Sequence, residues 1–480
     1  QRDVEGIVAA HRPLLDEIGA RHAAVIVLDN RTGEWLAWEG SGNYASPDEG
    51  AINGPAAPRQ PGSALKPFTY ALAFDAGYDP GTVLPDIPTS FPTAETGVAY
   101  TPENYDGRYR GPMRARAALA GSENVPAVAL ASDVGVPRLQ RMLGLAGFTT
   151  FERSSAHYGL GLTLGNAEVR LDELVAAYAG LARGGVRRST TGVIEMDGAR
   201  SAPPAAAPRF VSHRAAWWVT DILSDAGARA FIFGRGGALE FPFPVAVKTG
   251  TSQAYRDNWV VGYTRDVTVG VWVGNFDRTP LVGSSGVAGA GPIFHATMLA
   301  AADHAGRELD DVVDILERPE NVEHREICLV SGMASGDACV RRGLEWTAPG
   351  PRAECTWHTR RGREIATAWP DEYRRWAASE GFDVTRAVRA ASAGPRTGFR
   401  IVTPHADAVY LIDPTLRAEF QTLSLSAEGA RGRVQWTIDD RHAGVSDGAR
   451  SVDWPLVPGT HTVIARDEAG RSARTTFIVK

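Results

Sequence analysis

Lysine is nearly absent from this chain: of 50 lysines and arginines in 480 residues, only Lys66, Lys248 and the terminal Lys480 are lysines. Arginine keeps its charge at any accessible pH and cannot act as a base, whereas a desolvated lysine can give up its proton. A chain that uses arginine almost everywhere has kept lysine at two internal positions, which marks both as chemically required. Cysteine is equally scarce, with Cys328, Cys339 and Cys355 the whole set. Their clustering admits a structural disulfide with one thiol spare, the commoner outcome in an oxidising compartment, a zinc knot of the three cysteines with His358, or reduced thiols. No run of about 18 apolar residues occurs, so no stretch reads as a membrane-spanning helix. Positive charge is not in excess, and a formal net charge of -6 leaves no basic field to recruit nucleic acid. Internal repeats and low-complexity tracts are also lacking.

What is present is ample material for cores, at 44% hydrophobic residues, in a length that calls for several domains. The chain opens at Gln1 with Val4, Ile7, Val8, Leu14, Leu15 and Ile18 on one helical face, not with Met and a signal sequence. The expectation is a helix over 1–22 and a chain trimmed from something longer. Ala23 to Leu28, a turn at Asp29–Gly33 and Glu34 to Trp38 predict a hairpin. Residues 40–60 read as a loop, and 76–112, rich in Pro, Tyr, Asp and Gly, as a long irregular crossing of the kind that lines a site. Tyr100, Tyr105 and Tyr109 are candidates to rim that site. Helical patterning over 114–120, 126 onward, 137–145, 167–183 and 212–227 predicts an all-helical lobe. Trp217, Trp218 and Trp259 are expected in the core. Val245 to Val247, 258–264 and 267–275 predict antiparallel strands, and 292–304 a helix. An irregular stretch with the cysteines follows, then a helical stretch near 370–390 and a small-residue linker at 391–397. Short strands from Phe399 to Lys480 read as a β-sandwich. The resulting division is 1–310, 311–396 and 397–480.

Three short motifs carry chemistry. Gln60-Pro61-Gly62-Ser63-Ala64-Leu65-Lys66-Pro67-Phe68 sets Ser63 and Lys66 on one helix face, the hydroxyl within hydrogen-bond reach of the amine: a nucleophile beside a base. Alone, this spacing equally describes a serine N-cap and a surface lysine. A turn between two helices, Gly121-Ser122-Glu123-Asn124, presents Ser122 and Asn124 on the same side. Lys248-Thr249-Gly250-Thr251-Ser252 continues a strand, so the second internal lysine lies at a strand edge. If burial and a neighbouring cation such as Lys248 lower its pKa, Lys66 can take the serine's proton, and Gly250 would let an extended peptide approach the strand closely.

Ser63-x-x-Lys66, Ser122-x-Asn124 and Lys248-Thr249-Gly250, in that order and in those settings, are the motif set of penicillin-binding proteins and class A β-lactamases. With Ala23-Ala24-Val25-Ile26-Val27-Leu28-Asp29 and Asn258-Trp259-Val260-Val261-Gly262-Tyr263, the chain resembles the transpeptidase region of bifunctional class A penicillin-binding proteins. Its C-terminal sandwich after a cysteine-containing connector is similar to the subgroup called penicillin-binding protein 1C. That family also carries a membrane anchor and a glycosyltransferase domain, to which nothing in this stretch corresponds. The resemblance implies an α+β fold, an antiparallel sheet flanked by helices plus an all-helical lobe, followed by an Ig-like β-sandwich. It implies Ser63 as nucleophile, Lys66 as base, Ser122 and Lys248 as proton carriers, and Asn124, Thr249, Gly250 and Thr251 as substrate-binding residues. The N–H groups of Ser63 and Thr251 would form the oxyanion hole. No cofactor and no catalytic metal are implied. Expected partners are peptidoglycan stem peptides, β-lactams and, through the sandwich, other cell-wall proteins, at the periplasmic face of the bacterial inner membrane. None of Glu152, Glu168, Glu173, Glu195 and Glu240 has Asn three residues on, which argues against a class A β-lactamase. A D,D-carboxypeptidase or endopeptidase, and a non-catalytic β-lactam or peptide-binding module, are the competing readings.

Overall fold

The computed structural model describes residues 1–480 except 48, 93–98, 194, 197–198, 201–205, 307–313, 362–363, 385–398, 405–407, 411–421, 429, 448–451 and 480. Its centre is a five-stranded antiparallel sheet. In spatial order the strands are Ala246–Thr251, Asp257–Tyr263, Val267–Gly274, His22–Asp29 and Trp35–Glu39. Strand His22–Asp29 is apolar on both faces because both faces are covered. Ala24, Ile26 and Leu28 enter one core with the helical lobe, and Ala23, Val25 and Val27 enter a second core with helices Arg2–Ala10 and Gly291–His304. The hairpin expected at 23–38 is present. The helix expected over 1–22 is broken at His11, because Pro13 in the first turn of Arg12–Glu17 cannot supply the N–H that would continue it.

The helical lobe is built around Lys66–Asp75, in which every residue from Lys66 to Phe74 is buried. A helix apolar on all sides needs neighbours on all sides, and these include Ala115–Ala120, Asn124–Val134, Val136–Ala146, Leu171–Ala182 and His213–Ser224. Ser212 caps the last of these, its Oγ accepting from Ala215 N at 3.1 Å, an interaction of about 1 kcal/mol. The crossing at 76–112 is less irregular than its composition suggests: Val83–Asp86 pairs with Gly111–Arg114, and Phe91–Pro92 with Ala99–Tyr100. Trp217, Trp218 and Trp259 are buried.

After His304 the cysteine-containing stretch forms two hairpins, Glu323–Cys328 with Arg342–Thr347 and His358–Arg361 with Glu364–Thr367. Their strands are largely charged, which hid them in the sequence. This connector is riveted to the lobe by Arg352–Asp79 at 2.7 Å and by Glu345, which accepts from Arg114 at 2.5 Å and Arg116 at 2.7 Å. Beyond it, strands Arg400–Thr403, Thr422–Glu428 and Val452–Pro455 form one sheet. Ala408–Tyr410, Ser472–Val479, Gly459–Asp467, Val434–Ile438 and Arg441–Ser446 form another, with Trp436 fully buried in the core of this domain. Strands Arg441–Ser446 and Val452–Pro455 were not expected. The linker expected at 391–397 lies outside the described residues.

Candidate active site

Ser63 does not sit on the α-helix itself. It occupies a 3-10 turn, Gly62–Leu65, that runs directly into Lys66–Asp75, and Lys66 N donates to Ser63 O. With three residues per turn, Ser63 and Lys66 are stacked on one side as expected, by tighter geometry than an α-helix. The turn is held from two directions: Tyr178 Oη donates to Ala64 O at 2.6 Å, and Trp259 Nε1 to Gln60 O at 2.8 Å. Lys66 is completely buried, because the helix that carries it is. Its ammonium donates to Ser122 O, to Glu123 O at 3.1 Å and to Asn124 Oδ1 at 2.6 Å. The expected bond to the serine hydroxyl is not made: the amine's three protons go to the 122–124 turn, and Ser63 faces the cleft. Burial pulls the Lys66 pKa down to about 7, against the opposing pull of Glu123 and Asp86.

The Ser122 turn joins helices Ala115–Ala120 and Asn124–Val134. Ser122 lies at φ +64, a left-handed conformation uncommon for a residue with a side chain and typical of sites where geometry is enforced. The result is that Ser122 Oγ accepts from Lys248 Nζ at 2.7 Å, while the same amine donates to Thr249 O at 2.9 Å. Burial, with repulsion from Lys66 and Arg229, holds the Lys248 pKa well below the usual lysine range. Asn124 has most of its amide committed, its oxygen to Lys66 and one N–H to Glu103 O at 2.7 Å, so a single N–H remains for a ligand.

Sequence reasoning missed the group that holds this turn. Asn104 Oδ1 accepts from Asn124 N at 2.9 Å and Val125 N at 3.2 Å, capping the helix from another segment, while its amide donates to Asp86 Oδ1 at 2.6 Å. Glu123 pairs with Arg110 at 3.1 Å. Burial, aided by the nearby Asp86, raises the Glu123 carboxyl, and burial raises Asp86 to about 6. The only signal for these residues was the length of the crossing that carries Asp86, Asn104 and Arg110. Because Glu123 favours the charged form of Lys66, its removal lowers the Lys66 pKa further. In Glu123→Gln, the acid limb of any reaction that needs neutral Lys66 is expected to move to lower pH, as measured in a rate-against-pH profile.

Lys248, Thr249, Gly250 and Thr251 lie on the edge strand Ala246–Thr251, whose outer side carries no further strand in the sheet. Alternation turns Lys248 and Gly250 toward the lobe and Thr249 and Thr251 the other way. The expectation for Gly250 needs correction: a Cβ there would lie 2.1 Å from Pro61 O, so the space it leaves is filled by the Ser63 turn rather than kept for a ligand. Thr251 Oγ1 accepts from Gly286 N at 2.9 Å. Ser63, Ser122, Asn124, Thr249 and Thr251 line a cleft of about 1420 Å³, while Lys66 and Lys248 stand behind its wall. That volume exceeds the range of about 300–1000 Å³ common for small ligands and suits an extended one. Tyr105 rims it, edge-to-face with Tyr255 at 6.2 Å, and Tyr100 also lines it. Tyr109 does not line it: its carbonyl accepts from Trp376 of the connector. Tyr410 and Leu423 of the C-terminal sandwich close one side of the cleft. The three cysteines are not paired; they converge with His358 away from this site.

Residues 23–299 match the family described as penicillin binding protein transpeptidase domain, and 389–478 match the penicillin-binding protein C-terminus family. Penicillin-binding protein 1C of Escherichia coli is 27% identical over 494 residues, covering 95% of this chain and 61% of that protein. Penicillin-binding protein 1A of Neisseria gonorrhoeae is 32% identical over 277 residues, covering 55% of this chain and 34% of that protein. The chain therefore spans about three fifths of the first relative and a third of the second. Among solved structures, penicillin-binding protein 1A from Haemophilus influenzae superposes with a TM-score of 0.57 at 22% identity, over 68% of this chain and 53% of that one. PonA1 from Mycobacterium tuberculosis in complex with penicillin V gives 0.51 at 23% identity, over 70% and 88%. The shared fold is α+β.

Proposed function

Because the chain belongs to the penicillin-binding protein transpeptidase family, we propose that it is a serine-type D,D-transpeptidase of peptidoglycan, acylated at Ser63 by stem peptides and by β-lactams. At the level of the family it is a serine acyltransferase. The observation that carries the finer reading is the pair of buried amines, Lys66 and Lys248, meeting at the Ser122 turn beside Ser63. Neutral Lys66 keeps two of its three bonds and offers its lone pair to the Ser63 hydroxyl. Ser63 Oγ attacks the penultimate D-Ala carbonyl carbon while its proton passes to Lys66 Nζ. The N–H groups of Ser63 and Thr251 hold the oxyanion. Collapse breaks the C–N bond, and the departing D-Ala amine takes the Ser122 hydroxyl proton, which the two lysines replace. An amine of a neighbouring strand then attacks the ester, gives up its proton to the same relay and regenerates Ser63.

The donor peptide pairs along the outer side of Ala246–Thr251, its terminal carboxylate received by Thr249 and Thr251 with Lys248 behind them, its amide by the free N–H of Asn124. Domain limits at 1–310, 311–396 and 397–480 go with this reading, as do action at the periplasmic face of the inner membrane and a role of the sandwich in binding other cell-wall components. Among the described residues no helix is long and apolar enough to cross a membrane.

Incubation with a labelled penicillin is expected to add one label per chain, located by peptide mass mapping on the peptide containing Ser63. An unchanged intact mass would exclude both the transpeptidase and its hydrolytic rivals. With a thioester or depsipeptide donor and a D-amino acid acceptor, aminolysis product marks a transpeptidase; hydrolysis alone at saturating acceptor marks a carboxypeptidase. Binding without turnover marks a non-catalytic module.

A further inference from the structure

We propose that Cys328, Cys339, Cys355 and His358 form a closed tetrahedral site for a structural zinc ion that fastens the connector together. Their ligand atoms all lie within 4.8 Å of one another. His358 Nδ1 is 3.5 Å from Cys328 Sγ and 3.2 Å from Cys355 Sγ. A tetrahedron with Zn–S near 2.3 Å and Zn–N near 2.0 Å has S···N edges of about 3.5 Å and S···S edges of about 3.8 Å. Both S···N separations match those edges to within about 0.3 Å, and no two of the four ligand atoms are more than 4.8 Å apart, close enough for one ion to draw them together.

The surroundings fit thiolate ligands. Gly336 N donates to Cys339 Sγ at 3.3 Å and Ser331 Oγ to Cys355 Sγ at 3.2 Å, the outer donors that settle negative sulfur. Cys328, Cys339 and His358 are buried, at 0%, 7% and 5% exposure, and Cys355 is half-buried; four protein ligands leave a tetrahedral ion no open position for water or substrate, which makes the site structural rather than catalytic. Soft sulfur ligands in tetrahedral array select zinc over magnesium or calcium. A disulfide accounts for two of the sulfurs and leaves both the third and the histidine between them unexplained.

The connector also needs such a fastening. Among the described residues its own buried apolar cluster is Trp357, Trp369, Tyr373 and Ala377, a core of the size that depends on a metal or a cross-link. Cys328 ends the strand whose partner carries Glu345, the acceptor of Arg114 and Arg116, while Cys355 and His358 flank Trp357 of that cluster. One ion therefore joins the hairpin that grips the lobe to the core that holds the rest of the connector.

Full-length chain purified with micromolar zinc and then desalted is expected to carry about one zinc per chain by elemental analysis. Its three thiols should be shielded from a thiol reagent until a chelator is added, and Co2+ exchange should give the intense visible bands of tetrahedral thiolate coordination. His358→Cys should retain the metal and shift the Co2+ spectrum; Cys339→Ser should reduce zinc several-fold. Penicillin labelling of each variant reports separately that the catalytic body has folded. A wild-type chain that labels with penicillin but holds no zinc after this treatment overturns the proposal. So does an intact mass two hydrogens short, which marks a disulfide.

Discussion

Lys66→Arg is expected to slow acylation of Ser63 by a labelled penicillin about a thousandfold or more, although the positive charge is kept. The argument rests on what burial does to the two side chains. A lysine with no exposure loses its proton near neutral pH, because burial disfavours the ammonium. A guanidinium in the same place stays charged and has no lone pair to offer. Lys66→Met, which keeps the length and removes the amine, should give the same loss and guards against the objection that the larger arginine merely disturbs the helix. The pH profile supplies the sign. The Lys66 pKa is lowered to about 7, so the fraction able to accept a proton falls about tenfold per pH unit below that value and saturates above it. Wild-type acylation should therefore rise from pH 5 toward 7 and level off above about 8. Acylation of Lys66→Arg within a few fold of wild type, or a wild-type rate that does not fall below pH 7, would refute the base.

The parts of this site that could be read in the sequence are those where residue choice itself is informative. Lys66 and Lys248 stood out because lysine is otherwise avoided, and the break Gly121-Ser122-Glu123-Asn124 stood out between two helical patterns. Asn104 and Asp86 could not be found that way. Asn104 bonds the Ser122 turn and Asp86 bonds Asn104, both from a stretch without periodicity, where neither a helical nor a strand repeat assigns a facing direction. The 3-10 turn at Ser63 was missed because spacing of three residues satisfies both helix types. Strand Arg441–Ser446 was missed for a different reason: His442, Ala443 and Gly444 give no apolar alternation, and its place is fixed by pairing with Val434–Ile438. The cysteine cluster was visible as a composition, but its geometry depends on turns that bring Cys339 back to Cys328. In each case the missing information is tertiary, and the local pattern is compatible with more than one answer.

Gly250→Ala is expected to reduce acylation about a hundredfold while leaving the chain folded. The added Cβ would stand 2.1 Å from Pro61 O and 3.2 Å from Ala64 Cβ. The first is a backbone atom of the turn that carries Ser63, so it cannot swing aside as the end of a flexible side chain would. The turn must move off the edge strand, and with it the Ser63 N–H relative to the Thr251 N–H, separating two donors whose joint placement is worth roughly that factor. Gly62→Ala attacks the same contact from the other side: it lies at φ +55, and its Cβ would meet Thr251 O at 2.3 Å. Both variants should lower the maximal acylation rate more than the affinity for penicillin, which separates misplacement of reacting groups from loss of binding. Since both act by prising apart one contact, the double variant should lose much less than the product of the single losses. Wild-type acylation by Gly250→Ala, or fully multiplicative losses in the pair, would mean that the seating of the Ser63 turn on the edge strand does not set the rate.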